Sequence, residues 1–586
     1  MPFMLTFLPI LTLLQPSPVL STLSDHLAPP SAVTAPTEYP IRESPLADAA
    51  QISQRLSNTG GRQVVRTQIV RPLPGNLDSI PVFNSNSPEV IQQNGVVVST
   101  FPPEGMTEPS AHLDYAFDGR FDIFAHHVAR GVNANDVRTL YTGIILHNPS
   151  LSAVTINVSQ AASYLSQEAP FFDLPPYVAN PLGDVFSGPG SRVMGEVLRG
   201  LTQPHWPTTI TIPPQRSHLL VNLPIPLRRL TVPVNGTLPP GRLILPPLPG
   251  TEENVTLTST KMLAPKRFSL PSLLSPSLIS NLIPAAELPV HSALKAHSAS
   301  GTAELTDRNG LDSTPSPLNP ELAQALPTNG RTTLMRLFSS GPVHVASLAM
   351  YAPRTPDNHE RVPTLAEWQT VLVEEGLAGP RDYPPTPPNA QHFSRFFYGR
   401  VAGVSQGSQW IATLTDDSRS SHLTIPQPGD HVSYTLSTLD HNTFGTGQIQ
   451  SAPMATRYPD TAYRAHGNYG IHYNLSLPLY NDTNDLQRVA IKFETPIQNE
   501  SQQDGLTFLN PPDDRIFFRG TILLRYLDSW NIPQARYFHL VQKRGHEGKP
   551  LIELRMNPGD RRLTKMEFLY PPDATPPQVL TVETLR

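Results

Sequence analysis

The sequence contains no cysteine and few charged residues. The missing thiols exclude disulfide bonds, cysteine nucleophiles and cysteine-ligated zinc or iron–sulfur sites. Aspartate, glutamate, lysine and arginine make up 16% of the 586 residues, and the formal net charge is −5. Because nucleic-acid-binding surfaces are normally basic, this balance gives no electrostatic reason to expect a nucleic-acid partner.

Proline, by contrast, is abundant. Sixty-seven residues are proline, about twice the average share. Proline lacks the backbone N–H donor and breaks helix interiors, so long helices are disfavoured. A chain of this length is also too long for one core. The composition therefore predicts a mainly β protein with two antiparallel β-sandwich-like domains and few helices.

The N-terminus carries an apolar run over residues 3–14, followed by a stretch rich in proline and serine. Such a run is too short to span a bilayer, which takes about 20 residues, but it suits the core of a signal peptide. A small-residue site follows at residues 19–21, although no lysine or arginine precedes Arg42. We expect a signal peptide over residues 1–21, export to the periplasm, outer envelope or extracellular space, and no transmembrane segment beyond it. An unstructured apolar leader is the alternative.

Residues 22–62 are rich in Ala, Pro, Ser and Thr and predict a flexible leader. The first domain is then expected over residues 63–376. Alternating apolar segments separated by Pro, Gly and Asn predict its clearest strands, which are residues 97–101, 121–128, 141–147 and 154–160.

Residues 232–329 differ in composition from the rest of this domain. They hold 15 prolines and a single aromatic residue, Phe268. A segment without aromatic side chains buries too little surface to offset the entropy lost on ordering. We therefore predict a long, proline-rich, disordered insertion here. A linker between two domains is the alternative.

The clearest helix pattern starts at Thr364, which can act as the N-cap, with Glu367 placed to complete a capping box and Gly376 to end the helix. The proline-rich residues 377–392 predict a stiff linker. Strand-like sequence returns afterwards, so the second domain is expected over residues 393–586.

Two segments share one layout: YTGIILHNPSLSAVTINVSQ and YNLSLPLYNDTNDLQRVAIKFE. Each reads as an alternating strand, an asparagine-led turn and a second alternating strand. Asn148 and Asn481 occupy the equivalent turn positions, where an asparagine side chain can bond the backbone that follows it. This echo predicts two domains of similar architecture.

The segment AHLDYAFDGRFDIFAHHVAR, residues 111–130, centres on Asp118-Gly119, a strong signal for a two-residue β-hairpin. In that register, strand alternation places His112, Asp114 and His127 on one face. Two histidines and a carboxylate can bind zinc or non-haem iron. The same face also carries apolar residues, which favours a structural role. We expect no cofactor, and a metal site is the alternative.

A second polar cluster lies in YPDTAYRAHGNYGIHYN, which contains Tyr463, His466, Tyr469 and Tyr473. If exposed, these rings could stack on sugars and bond hydroxyl groups. The alternative is that the tyrosines pack into the sheet with their polar tips at its edge. No carboxylate pair suited to glycoside hydrolysis stands out.

Ser405 lies in GVSQG, which matches the G-x-S-x-G pattern of a nucleophile elbow. The elbow requires a strand-to-helix turn that exposes the hydroxyl. Here the flanking segments both read as strands, so we predict a hairpin and assign no catalytic residue.

Several phrases, including VFNSNSPEVIQQNGVVVSTFPPEGM, GRFDIFAHHVARG and SAPMATRYPDTAYRAHGNYGIHYNL, resemble a cyanobacterial family of exported proteins of unknown function. The resemblance runs from about residue 64 to the C-terminus and skips residues 232–329, which look peculiar to this member. It implies export but no activity, cofactor or catalytic residue.

Three functional hypotheses follow. The first is an exported, non-enzymatic structural or interaction protein of the cell envelope or extracellular matrix, with envelope polysaccharide or other envelope proteins as partners. The second is a glycan-binding module that uses the tyrosine cluster. The third is a metal-dependent enzyme built on the predicted hairpin.

Overall fold

The computed structural model describes residues 61–133, 135–166, 173–228, 328–498, 500 and 505–586, together with the backbone of residues 243–244. The predicted signal peptide, nearly all of the predicted leader and nearly all of the predicted insertion lie outside the described residues. Over the described residues the fold is mainly β, which confirms the predicted fold class.

The strands of the N-terminal half are β1 (Arg62–Thr67), β2 (Ile69–Arg71), β3 (Pro81–Ser85), β4 (Val90–Ile91), β5 (Gly95–Ser99), β6 (Phe117–Arg130), β7 (Thr139–His147), β8 (Val154–Leu165), β9 (Tyr177–Ala179), β10 (Thr209–Ile212), β11 (Ser217–Pro226), β12 (Leu243–Ile244), β13 (Thr328–Tyr351) and β14 (Glu360–Arg361). Those of the C-terminal half are β15 (Ala402–Gln406), β16 (Gln409–Thr413), β17 (Leu423–Thr424), β18 (His431–Leu436), β19 (Ala452–Arg457), β20 (Arg464–Ala465), β21 (His472–Tyr480), β22 (Gln487–Glu494), β23 (Gly505–Asn510), β24 (Ile516–Leu527), β25 (Pro533–Lys543), β26 (Ile552–Met556), β27 (Arg561–Leu569) and β28 (Gln578–Leu585). The predicted strands at residues 97–101, 121–128, 141–147 and 154–160 correspond to β5, β6, β7 and β8.

The described residues contain the α-helices α1 (Ser191–Leu198) and α2 (Leu365–Glu374) and a short 3-10 helix, Pro109–Ala111. The predicted capping box is confirmed in α2: the Thr364 hydroxyl accepts from the Glu367 N–H, and the Glu367 side chain accepts from the Thr364 N–H. Trp368 of α2 is fully buried and packs against Gly143 of β7.

The first sandwich is organised by the long strand β13. Its first part pairs with β6 and β8 in one layer, and its second part pairs with β5 and β7 in the other. The register shifts between Ser339 and Val343, where the strand passes from one layer to the other. Apolar side chains from both layers form one core, which includes Phe121, Leu146, Ile156 and Leu223.

The second sandwich packs a seven-stranded sheet on a five-stranded sheet. The larger sheet has the order β16-β21-β27-β24-β25-β9, with β17 beside β21, and the smaller has the order β2-β18-β28-β22-β26. Their inner faces meet in a second core, which includes Leu475, Phe493, Phe568 and Leu580.

Strand pairs cross the predicted domain limits. β3 pairs with β15, although they lie on opposite sides of the predicted 377–392 linker. β2 pairs with β18, and β9 pairs with β25. The described residues from Gly61 onward fall in one compact unit. The division into domains at residues 63–376 and 393–586 therefore stays a prediction, and the hydrogen-bonded sheets do not separate there.

β11 ends before the predicted insertion and β13 begins at its last two residues, and both strands pair with β7. The two ends are also held together directly, because the Asn329 amide donates to the Pro226 carbonyl over 2.9 Å. The described strands on either side of the predicted insertion thus belong to the same sheet.

The two asparagine-led turns have the same bonding pattern. Asn148 donates from Nδ2 to the carbonyls of Ser152, Ile212 and Pro213, and its Oδ1 accepts from the backbone and hydroxyl of Ser150. Asn481 does the same with the carbonyls of Asp485, Met556 and Asn557 and with the backbone and hydroxyl of Thr483.

The strands around the two asparagines also correspond. β7 pairs with β11 and β8 with β10, just as β21 pairs with β27 and β22 with β26. In each sandwich the asparagine fastens the turn between two strands to the turn between their two partners. The predicted equivalence of the two turns is confirmed.

Candidate functional site

The predicted hairpin at Asp118-Gly119 is wrong. Both residues lie inside the continuous strand β6, which pairs with β13 and, in parallel, with β3. Gly119 has a positive φ of 73°, and it lies where β13 shifts register. A type I′ turn needs positive φ at both central residues. Long-range pairing with β13 has replaced the local hairpin.

Without that hairpin, the candidate metal ligands have different partners. His112 bonds through Nδ1 to the Ser99 hydroxyl over 2.8 Å, and His127 lies between the Ser85 hydroxyl at 2.8 Å and the Pro88 carbonyl at 2.9 Å. Asp114 is exposed on the loop before β6. Within the described ranges, no group of three or more His, Asp or Glu side chains is placed to hold a metal ion.

The first sandwich instead contains buried imidazole–hydroxyl pairs. Besides the two pairs above, His126 Nδ1 lies 2.9 Å from the Thr332 hydroxyl. The Ser85–His127 pair has the contacts of a serine and a general base. Ser85 is 0% exposed and His127 is 2% exposed, so a substrate cannot reach the hydroxyl. These pairs hold strands together.

Burial keeps these imidazoles neutral, because the charged form loses its hydration. It lowers the pKa of His127 to about 4. Burial, with a smaller contribution from Arg400, lowers the pKa of His126 to about 4. In the second sandwich, burial and the nearby Arg519 lower the pKa of His539 to about 4.

The three tyrosines of the predicted glycan-binding cluster have different surroundings. Tyr473 is fully buried, and its ring stacks on Phe568 with centroids 5.1 Å apart. Tyr469 is half-buried and donates to the Ala574 carbonyl over 3.2 Å. The Arg457 guanidinium covers the ring of Tyr463 at 3.8 Å. Tyr473 is therefore not accessible to a glycan. It packs in the core, as the alternative interpretation predicted.

A small cavity lies where β3, β6, β15 and the segment around Tyr469 meet. Its polar lining includes Asn84, Asp122, Ser405 and Ser408. The space that the centre of a water molecule can reach is about 10 Å³, about enough for one water. Burial raises the pKa of Asp122, although Arg336 and Arg120 lie beside it. The cavity suits a buried water better than a substrate.

Ser405 at this cavity lies in β15 and is 2% exposed. The predicted strand–turn–strand arrangement is confirmed, since β16 follows after two residues. The predicted hairpin is wrong, because β15 pairs with β3 and β19 while β16 pairs with β21.

A more accessible site is formed by the segment that was predicted to be a linker. Its chain closes into a loop at Thr386 and Phe397: the Thr386 N–H donates to the Phe397 carbonyl over 2.8 Å, and the Phe397 N–H donates to the Thr386 hydroxyl over 2.9 Å. Nearly all residues of its tip, 387–395, are exposed. The loop is therefore fixed at its base and open to solvent at its tip.

Four rings at this loop contact one another and form what we call the aromatic ridge: Phe393, Phe396, Tyr398 and His441. Phe396 is its centre, with ring centroids 5.3 Å from Phe393, 5.1 Å from Tyr398 and 4.8 Å from His441. Phe393 is 41% exposed and His441 is exposed, whereas the other two rings are half-buried.

The inner end of the ridge is held by hydrogen bonds. The Tyr398 hydroxyl donates to the Asp440 carbonyl over 2.6 Å and accepts from the Asn442 amide over 2.8 Å. Its ring packs on His466 with centroids 4.8 Å apart. Burial raises the pKa of Tyr398 to about 12, and burial with the nearby Arg464 lowers that of His466 to about 3. Both groups stay neutral. The two hydrogen bonds of Tyr398 position its ring before any ligand arrives.

Polar groups border the ridge. The carboxylate of Asp440 lies 3.6 Å from the Arg464 guanidinium and 3.8 Å from the His466 ring. Arg464 is 37% exposed through its side chain. A ligand with an apolar face and hydroxyl groups at its edges, such as a pyranose, can stack on exposed rings and bond to such a rim.

Of the predicted site residues, only His466 contacts this ridge, and it lies beneath it. The ridge residues themselves were assigned to the strand-like sequence of the second domain, directly after the predicted linker. A signal was present, because QHFSRFFYG is dense in aromatic residues for a loop. The prolines before it concealed the signal, since they favour a linker interpretation.

A protein-family model described as "Protein of unknown function (DUF3370)" matches residues 68–243 and 257–584. These ranges include most of residues 232–329, so the expectation that this segment is peculiar to the present member is wrong for the matched part. No curated protein matches the chain. Because the model covers well over half of the sequence, the chain belongs to the DUF3370 family of proteins of unknown function.

Proposed function

We propose that this chain is an exported, non-catalytic interaction protein of the cell envelope or extracellular matrix, and that the aromatic ridge binds envelope polysaccharide. The proposal joins the first and second sequence hypotheses and replaces the tyrosine cluster by the ridge. The cyanobacterial source implied by the sequence resemblance is part of the same proposal.

The observation that carries it is the exposed, pre-positioned ring of Phe393 on a loop that is fixed at both ends. Apolar surface left in water has a free-energy cost, and a fixed loop loses little further entropy when a ligand orders it. The exposed His441 and the partly exposed guanidinium of Arg464 offer polar groups beside the ridge. The imidazole–hydroxyl pairs, in contrast, are buried away from any ligand.

Export is supported by the apolar run over residues 3–14 and the small-residue site after it. No helix in the described part of the chain is long and apolar enough to cross a membrane. Cell fractionation, followed by sequencing of the mature N-terminus, tests this part: a cytoplasmic protein that keeps Met1 contradicts it.

Binding is tested with the purified full chain against a glycan array and against polysaccharide extracted from the envelope of the source cells. Phe393→Ala should weaken binding by roughly tenfold or more, the loss expected of a central aromatic contact. Phe338→Ala is a matched control, because Phe338 is 48% exposed on β13, away from the loop.

The binding proposal fails if the parent retains no polysaccharide, or if the Phe393 and Phe338 variants bind equally well. Metal analysis of the purified parent, beside a His112→Ala/His127→Ala variant, addresses the third hypothesis. A stoichiometric metal lost only in that variant would favour the metal-dependent enzyme.

A further inference from the structure

The turn between β24 and β25 presents large apolar side chains to solvent. Trp530 is 80% exposed and Ile532 is 54% exposed. Leu563 of β27 is 46% exposed. It lies beside this end of the hairpin, because the next residue of β27, Thr564, is opposite Tyr526 of β24. We call Trp530, Ile532 and Leu563 the apolar tip.

The backbone of the apolar tip is fixed by its neighbours. The Asp528 carboxylate accepts from the N–H groups of Trp530 and Ile532, both over 2.9 Å. Asn531 has a positive φ of 58°. The buried Arg562 donates to the Asn531 side chain over 2.7 Å and to the Asp528 carbonyl over 2.9 Å. The exposed tryptophan is therefore held on a rigid turn.

Exposed cations lie behind the tip. Arg525 and Lys565 are direct neighbours on β24 and β27, and Arg536 lies on β25. Since Leu527 and Pro533 are the last paired residues of the hairpin, Arg525 lies two residues, roughly 7 Å, behind its end. The Arg525 guanidinium is paired with the Glu567 carboxylate over 3.0 Å, so Lys565 and Arg536 are the cations that add positive charge behind the tip.

We propose that the apolar tip inserts into the surface of an anionic lipid bilayer. Trp is the side chain most suited to the headgroup region, because its ring is apolar and its N–H is polar. A peripheral anchor enters roughly 5–10 Å into the boundary between headgroups and acyl chains. At that depth the cations behind the tip reach the level of the lipid phosphates, where each contributes about 1 kcal/mol of attraction.

The shape of the tip argues against a small ligand, and the cations behind it favour an anionic bilayer. The tip is a protruding turn, whereas the surfaces that accept small ligands are concave. Lys565 and Arg536 lie behind the exposed Trp530 and Ile532, an order that complements a layered surface with acyl chains inside and phosphates outside. The Asp528 carboxylate in the turn accepts from two backbone N–H groups. The aromatic ridge shares no residue with the apolar tip and remains free for polysaccharide.

Tryptophan fluorescence reports on the tip itself. The chain has four tryptophans, and Trp206, Trp368 and Trp410 are 5%, 0% and 3% exposed. The full chain is mixed with phosphatidylcholine vesicles with or without phosphatidylglycerol, and with the same lipids brominated on their acyl chains. Trp530→Phe identifies the part of the emission that belongs to the tip.

We expect anionic vesicles to shift the Trp530 emission to the blue and brominated acyl chains to quench it, with high salt reversing both effects. Arg536→Gln and Lys565→Gln should each raise the anionic lipid needed by roughly fivefold. Leu486→Ala is the control, since Leu486 is 55% exposed in the turn before β22, and it should change nothing.

The proposal is overturned if brominated lipids leave Trp530 emission unchanged, even when the chain sediments with vesicles. It is also overturned if Trp530 becomes protected without lipid as the protein concentration rises, because the tip then covers itself with a second copy. Protection of Trp530 by polysaccharide alone overturns it as well. None of these outcomes depends on binding at Phe393, so the polysaccharide and bilayer proposals fail separately.

Discussion

Replacing Asn481 by alanine should destabilise the second sandwich strongly. The side chain is fully buried, and it makes five hydrogen bonds, three as donor and two as acceptor. Each contributes a net of about 1 kcal/mol, and a buried carbonyl left without a donor costs about 1–3 kcal/mol. Since the carbonyls of Asp485 and Asn557 are only partly buried and can recover water, we expect a total loss of about 3–4 kcal/mol.

Asn148→Ala should cost a similar amount, because Asn148 makes the same five bonds in the first sandwich. The two sites share no partner, so the double variant should lose the sum to within about 0.5 kcal/mol. Asn481→Asp keeps the Thr483 bonds but turns a carboxylate oxygen toward three carbonyl oxygens. We expect it to be at least as unstable as the alanine variant.

Guanidinium unfolding followed by circular dichroism measures these losses as shifts of the midpoint at constant slope. Asn484→Ala is the matched control, since Asn484 is exposed in the same turn and its loss should stay within about 0.5 kcal/mol. A cost below about 1 kcal/mol for Asn481→Ala would refute the role of the turn. A harmless Asn148→Ala beside a severe Asn481→Ala would refute the equivalence of the two sandwiches.

Three further outcomes can be measured on the same protein. Acidification from pH 6.5 to 4 should lower the free energy of unfolding, because burial lowers the pKa of ten described histidines, those of His126, His127 and His539 to about 4, and the unfolded chain takes up protons first. Four carboxyls whose pKa burial raises, Asp122, Asp382, Glu494 and Asp573, oppose this but are fewer. A midpoint that rises on acidification would contradict the reasoning. Gly143→Ala should destabilise by about 2 kcal/mol or more, since the new Cβ would lie 2.6 Å from the Trp368 ring, and an unchanged melting temperature would show that α2 can shift. Tyr473→Ala should lower the free energy of unfolding by about 3–5 kcal/mol. The control Tyr383→Ala, at a side chain that is 70% exposed, should lower it by less than about 0.5 kcal/mol. Equal losses in calorimetry would place Tyr473 outside the core.

Local chemistry was predictable wherever a side chain acts on its own neighbours in sequence. The capping box of α2 needs only Thr364 and Glu367, which are three residues apart. The turns at Asn148 and Asn481 follow from an asparagine that bonds the backbone two residues on. These features depend on contacts within one turn of chain, so the sequence alone determines them.

The candidate site could be predicted less well, because exposure is a property of the assembled sheets. Tyr473 and Phe393 are both aromatic residues in polar segments, yet one lies in a core and the other faces solvent. The alternation around Tyr473 was visible in the sequence, but the sheet that covers it was not. The prolines before Phe393 suggested a linker, although the loop closes on itself at Thr386.

The sequence by itself determined the class of fold. Its many prolines exclude long helices, and its short alternating segments leave extended strands as the way to satisfy the backbone. Only the tertiary structure decided which strands pair. β6 runs through Asp118-Gly119 because it pairs with β13, whose partner residues lie some two hundred positions away. Such pairing depends on the whole sheet, and no local turn signal can specify it.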